Sequence, residues 1–349
     1  MRLKSALRRG VAAAVIAGIV VSSGIPAYAD RWDIAKGDIT VKGASDGSGN
    51  YNEVKQGDNE FKKDEGETVI TGESKEHTVT IDTSEGNVDV TFDDLKIDVS
   101  GKAEGDGSGK TEGDVSDETE GDGSDDSPVD AGKAAVTVQG DHDVTIELDG
   151  DNELKSGSYN AGLEKNEHES KGTLTIKDDN DTKGALTAEG GFGGAGIGGG
   201  IESTGSNITI RGGTIEAVGG SNAAGIGDGA GCASDDTDDP NPGDLYICGD
   251  AEVTAKAGSQ MTDAKAPAIG GSYGEVPTEN LSDDEHKVTG GRLTRLNADG
   301  TVMEGMGYDY TSTPKPQPDD DEDDDDDDDD EQEEERELKP WENGYTDKR

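Results

Sequence analysis

The sequence predicts an all-β protein, a parallel β-helix with three short strands per coil, on three observations. A three-part unit recurs along the chain, and self-similarity at a period of 20–50 residues marks repeat architectures. Within each part apolar and polar residues alternate with a period of two, and no helical period is present. Only 29% of residues are hydrophobic and 4% aromatic. That is too little for a broad globular core, but enough for aliphatic ladders stacked from unit to unit.

The elements follow in order. Arg2, Lys4, Arg8 and Arg9 precede an apolar run from Val11 to Val21, which is broken between Ser22 and Pro26. Ala27-Tyr28-Ala29 then supplies a small-x-small cleavage site. This pattern is a secretory signal peptide over residues 1–29, too short in its apolar core for a retained anchor. No later apolar stretch reaches spanning length, so the sequence predicts a secreted chain without a transmembrane segment. Removing the leader's four basic residues takes the formal net charge from −49 to about −53. Such a charge repels phosphate and excludes nucleic acid as a partner.

The repeat unit is clearest from Asn207 to Gly227: NITI, GGTIEAVGG, then AAGIG. TLTI from Thr173, GALTAEGG from Gly184 and GAGIGGG from Gly194 precede it with the same three parts. LYI from Leu245, AEVTAKAG from Ala251 and APAIGG from Ala266 follow it. VTIEL (Val144 to Leu148), NELKSG (Asn152 to Gly157) and NAGLEKN (Asn160 to Asn166) form an earlier unit. VDVTF, LKIDV and AAVTV, starting at Val88, Leu95 and Ala134, form the first of five units. First segments beginning at Val144, Leu174, Ile208 and Leu245 are spaced by 30, 34 and 37 residues. Alternation directs Ile208, Ile210, Ile215, Ala217, Ile226 and Ile247 inward and Thr209 outward. A β-sandwich is the alternative, but it calls for hairpin turns and more aromatic residues.

Two segments break the pattern. Residues 101–132 carry 11 acids and two lysines with almost no apolar side chain, which reads as a disordered loop inserted between two strands of one unit. From Thr313 a Pro-rich spacer leads into Asp319–Glu337, with 17 acids and one arginine, so 313–349 is expected to be an extended tail. The β-helix domain is therefore expected over 30–312. No LPxTG-like sortase motif follows the tail in this sequence, which leaves cell-wall display and release both open.

WDIAKGDITV near the mature start, VTIELDGDNELKSG, NAGLEKN, LTIKDDN, AGIGGG and SNITIRGGTIEAVGG resemble the Gram-positive carbohydrate-binding β-helix domain surface proteins of the pectate-lyase-like superfamily. The resemblance runs from Trp32 to Arg295, about three quarters of the chain. It implies a right-handed helix, calcium at turns, and binding of acidic polysaccharide without cleavage. The long acidic insertion and the wide loop from Asp235 to Asp244 depart from that pattern.

Residue chemistry points the same way. A lyase or hydrolase needs carboxylates together with a positioned base. Lys177 and Arg211 occupy matching offsets after LTI and ITI, yet beside Asp178, Asp179 and Glu147 they read better as a ladder of alternating charges. Gly194-x-Gly196-x-x-Gly199 formally matches a dinucleotide fingerprint, but related glycine clusters recur on other units and no βαβ context surrounds it. Tight glycine corners explain it. The histidines, His77, His142, His168 and His286, show no zinc spacing, and no serine nucleophile elbow is present. No catalytic residues are therefore expected, and the chain reads as a monomeric, non-catalytic binder of polysaccharide or cell-wall glycan. A polysaccharide lyase and a structural wall adhesin are the alternatives.

Calcium is the one cofactor the sequence offers. Asp149-Gly-Asp151-Asn152 and Asp178-Asp179-Asn180-Asp181 follow successive first strands, and stacking brings Asp149, Asp151, Asp178, Asp179 and Asp181 together as oxygen ligands. Turn chemistry alone also favours Asp and Asn at such places. Aromatic platforms for sugars are few: Tyr159, Phe192, Tyr246, Tyr273 and Tyr308 are the central candidates. Cys232 and Cys248, in an exported chain, are expected to form a disulfide worth about 3 kcal/mol.

Overall fold

The computed structural model describes residues 30–46, 49–64, 66–101, 132–180, 182–232, 244–259, 266–271, 274–275, 286–303 and 308–309. All of them belong to one compact unit within Met1–Ser312. The leader, nearly all of the acidic insertion, the 313–349 tail, Asp181, Tyr273 and most of the 235–244 loop lie outside the described residues.

Among the described residues the chain is nearly all β, with one 3₁₀ turn at Ile34–Lys36. Its strands form a 13-stranded and a 10-stranded sheet, and the pairing between successive units is parallel. The three parts of a unit divide unequally between the sheets. Leu174–Lys177 and Gly184–Glu189 join the larger sheet, and Ile197–Gly198 joins the smaller one. Corresponding residues pair in register from unit to unit: Leu174 with Ile208, Ile208 with Leu245, Leu186 with Ile215, and Ile197 with Ile226. Backbone groups are satisfied by the neighbouring unit rather than locally, as in Val144 N–H to Thr173 O at 2.9 Å and Ile197 N–H to Gly225 O at 3.0 Å.

That register turns alternation into a core. Ile146, Ile176, Ile210 and Ile247 pair in sequence across four strands, and each is fully buried. Ile208, Ile215, Ala217 and Ile226 are buried as well, while Thr209 between two isoleucines is half-buried on the outer side. Each fully buried aliphatic side chain contributes about 1.5–3 kcal/mol relative to exposure. A second column, Leu154, Ala188, Ala217 and Ala255, pairs in register and is fully buried.

The corners explain the glycine clusters. Gly198, Gly227 and Gly270 stack in register with φ of 133°, 128° and 145°. A Cβ on Gly198 would lie 2.0 Å from Gly227 O, so neither conformation nor space admits a side chain. The apparent dinucleotide fingerprint is part of this corner.

One expected turn is absent. Asp149 to Asn152 does not leave the sheet: Val144–Lys155 is a single strand that bends at Gly150, where φ is 64°. Val88–Asp98 is likewise continuous, with a register shift after Asp93.

The parallel order ends in antiparallel strands. Ile39–Asp46 pairs with Gly49–Gln56, which pairs with Lys62–Asp64. Asn52 ties this hairpin to the body: its buried amide donates to Thr68 Oγ1 at 2.9 Å and to Asp89 O at 2.7 Å. Among the described residues no helix is long and apolar enough to cross a membrane.

Candidate functional site

A cleft of about 540 Å³ opens where the N-terminal hairpin meets the outer face of the larger sheet. Asn50, Tyr51 and Asn52 of the hairpin form one wall. Asp89 and Thr91, then Thr145, Glu147 and Asp149, form the floor on neighbouring parallel strands. Lys177, Asp179 and Asn180 close the far side.

That far wall exists because one unit is longer than its neighbours. Between paired core positions of the first and second segments, Val144 to Asn152 spans 8 residues, Leu174 to Leu186 spans 12, Ile208 to Ile215 spans 7, and Leu245 to Val253 spans 8. The surplus in the Leu174 unit cannot enter the ladder, so it folds over the bend at Gly150. Asn180 donates its amide to Asp149 Oδ1 at 2.6 Å, and the Asp179 N–H donates to Glu147 Oε1 at 3.0 Å. Asp178 Oδ2 accepts from Gly184 N–H at 3.1 Å, closing the excursion.

Charge in the cleft is unevenly matched. Glu147 and Lys177 are paired register positions, and Lys177 Nζ lies 2.9 Å from Glu147 Oε2 and 2.8 Å from Asp179 Oδ1. Burial opposes the Lys177 ammonium, but the bonds from Asp179 and Glu147 outweigh it and hold its pKa above the usual lysine value. Glu147 shifts upward too, because burial costs its carboxylate more than Lys177 returns. Asp149 is 2% exposed and shifts upward, first from burial and then from the nearby Asp93, Glu67 and Asp178 carboxylates. Glu67 accepts a bond from Thr91 Oγ1, and Asp93 is ion-paired with Arg31.

Of the five aspartates expected to bind calcium, the four described ones form no metal-holding group, and Asp181 lies outside the described residues. Asp149 lines this cleft from below. Asp151 is exposed, with its N–H on Asp94 Oδ1 at 3.0 Å. Asp178 borders a second, smaller cleft of about 320 Å³ with Arg211 and Asp250, and Asp179 is shared between the two. Among the described residues no group of three or more His, Cys, Asp and Glu is placed to hold a metal ion. Lys177 and Arg211 stand at neighbouring offsets as expected, with Lys177 engaged by carboxylates on both sides.

The outer face beside the cleft carries a hydroxyl column. Thr145, Thr175 and Thr209 pair in succession and lead to Tyr246, all half-buried. Of the other aromatic candidates, Tyr159 and Phe192 form an edge-to-face pair at a corner, with centroids 6.0 Å apart, and Tyr308 sits on an end strand.

The expected disulfide is corrected. Cys232 and Cys248 are not bonded to each other: both are thiols, Cys232 buried and Cys248 half-buried. Topology accounts for this. Cys232 follows the Ile226–Gly227 strand of the smaller sheet, whereas Cys248 follows Leu245–Ile247 in the larger sheet and stacks on Ile210 through its N–H.

The hairpin amides, Glu67 and Asp89 are the cleft residues that sequence reasoning missed. The longer first-to-second spacing in the Leu174 unit was a signal for the far wall, whereas nothing local announces the hairpin's position. Fold and cleft together define a class: an all-β protein with parallel sheets and a polar, acid-lined surface cleft. No family model, no curated protein and no solved structure matches the chain.

Proposed function

We propose that this chain is an exported polysaccharide-binding protein that does no chemistry on its ligand, built as a right-handed parallel β-helix. In-register parallel pairing of corresponding segments supports the helix, since each unit stacks on the next. Parallel crossover connections are right-handed in about 98% of cases, which supports the hand.

The observation that carries the function is the 540 Å³ cleft lined by side-chain amides, hydroxyls and carboxylates, with the threonine column running from it. Planar amides and carboxylates fixed by a rigid sheet are suited to bonding vicinal sugar hydroxyls, and fixed polar groups in a concavity give orientation. Lys177, held protonated between two carboxylates, is unsuited to act as the base that a lyase needs.

The test is retention of the secreted full chain on a panel of neutral, acidic and basic polysaccharides, with and without EDTA. Binding without product release is expected. Loss of retention with EDTA would assign a role to calcium at the Asp-rich turns. Retention on no glycan, or release of oligosaccharide products, overturns the proposal.

A further inference from the structure

The cleft is polar, but its charges do not cancel. Glu147 and Asp179 share Lys177. Glu67, Asp89 and Asp149 also line the cleft, and none of these three carboxylates has a basic partner among the described residues. Asp149 is the most telling. It is 98% withdrawn from solvent, yet its carboxylate has one side-chain partner, the Asn180 amide on Oδ1. A buried carboxylate with a single neutral partner is costly unless a cation reaches it. Its nearest charged neighbours make matters worse, being the carboxylates of Asp93, Glu67 and Asp178.

Two kinds of cation fit an acid-rich cleft in different ways. A calcium ion needs six to eight oxygens converging at 2.3–2.6 Å. These carboxylates are instead spread over two strands, the segment before Thr68 and the excursion after Lys177, and no three of them form a metal-holding group among the described residues. An ammonium group is satisfied by one or two carboxylates and neutral acceptors. Separate carboxylates along a cleft therefore match a ligand whose positive charges are themselves separate. Side-chain amides at Asn50 and Asn87 and the half-buried Thr145 hydroxyl add partners for neutral hydroxyls. Free polyuronate is disfavoured, because its carboxylates would face Glu67, Asp89 and Asp149 with Lys177 already engaged.

We propose, on the basis of the polysaccharide-binding reading above, that this cleft takes a glycan bearing free amines, such as a de-N-acetylated amino-sugar polymer, with an ammonium group seated against Asp149 and Glu67. The amine is the specificity element, and acetylating it removes both the charge and the partner that Asp149 lacks.

The experiment is calorimetric titration of the full secreted chain with three probes of equal length: glucosamine oligomers, N-acetylglucosamine oligomers, and oligogalacturonate with calcium. Expected is saturable one-site binding of the amine form, at least tenfold tighter than the acetylated form and weakening as salt rises. Asp149→Asn and Glu67→Gln should each weaken it tenfold or more. Glu252→Gln, an exposed acid on another segment, controls for bulk attraction of a cation to an acidic chain. Because Asp149→Asn removes a buried charge, circular dichroism and urea midpoints verify the fold, and Glu67→Gln serves as the independent variant. Equal affinity for acetylated and free-amine oligomers, binding of calcium-galacturonate alone, or equal losses in Glu252→Gln and Asp149→Asn each overturn this proposal while leaving a polysaccharide function standing. Binding of no probe, together with no retention on the wider panel, overturns both.

Discussion

Glu147 and Lys177 occupy paired positions on neighbouring parallel strands, and their side chains meet at 2.9 Å on the floor of the cleft. The pair is largely withdrawn from water, with Glu147 at 9% and Lys177 at 26% side-chain exposure. It does two things: it sets a cation against a buried carboxylate, and it engages the lysine that lines the cleft.

Lys177→Ala leaves Glu147 buried with only the Asp179 N–H as partner. The expected loss is about 1–3 kcal/mol of stability, the usual cost of stranding a buried polar group. Adding Glu147→Gln to that background should restore part of the loss, because no charge is then left unpaired. Urea denaturation measures both. A loss below about 0.5 kcal/mol would place the pair with ordinary surface contacts instead.

Stability should fall as pH rises from about 4 to about 7. Burial raises the Glu164 and Asp228 carboxyls to about 7, with Glu169 and Glu167 adding to the respective shifts. Over that range the folded chain holds protons that the unfolded chain has released, so the slope of stability with pH is negative. Each group contributes on the order of 3 kcal/mol across the window. Asp98 and Asp179, held below the carboxylate range chiefly by Ser100 and Lys177, act in the opposite sense at lower pH. Urea midpoints should therefore be higher at pH 5 than at pH 7.5, and Glu164→Gln with Asp228→Asn should flatten the difference. A midpoint that rises between those pH values contradicts this assignment.

The two thiols should be separable by reactivity. Burial, reinforced by Asp228 and Glu167, pushes the Cys232 thiol up to about 12. Its thiolate fraction at pH 8 is then on the order of 10⁻⁴. Iodoacetamide should label half-buried Cys248 first in the native chain and both residues in urea without reductant. Intact mass counts the adducts. No uptake in urea without reductant would show that a bridge forms after all.

Much of the fold was legible in advance because its signals are local. The alternation in VTIEL, LTI, ITI and LYI places Ile146, Ile176, Ile210 and Ile247 inward whatever the rest of the chain does, and the buried column agrees. The glycine corners were legible for the same reason, since the residue type itself reports the backbone conformation at Gly198 and Gly227. Among the four described aspartates of the expected calcium site, one bend keeps Asp149 and Asp151 apart. Asp149 to Asn152 stays within a strand, so its side chains split between the cleft and solvent. The expected disulfide failed because neighbours in sequence part company between two sheets.

By itself the sequence determined the repeat, the alternation and the inward residues, each written within a few adjacent positions. Only the tertiary structure decided the cleft. Glu67 and Asp149 are far apart in the chain, and they come together because stacked strands set the register and the Asn52 amide holds the hairpin beside them. Backbone hydrogen bonds between units fix that register, and no local pattern encodes which outward side chains it makes neighbours.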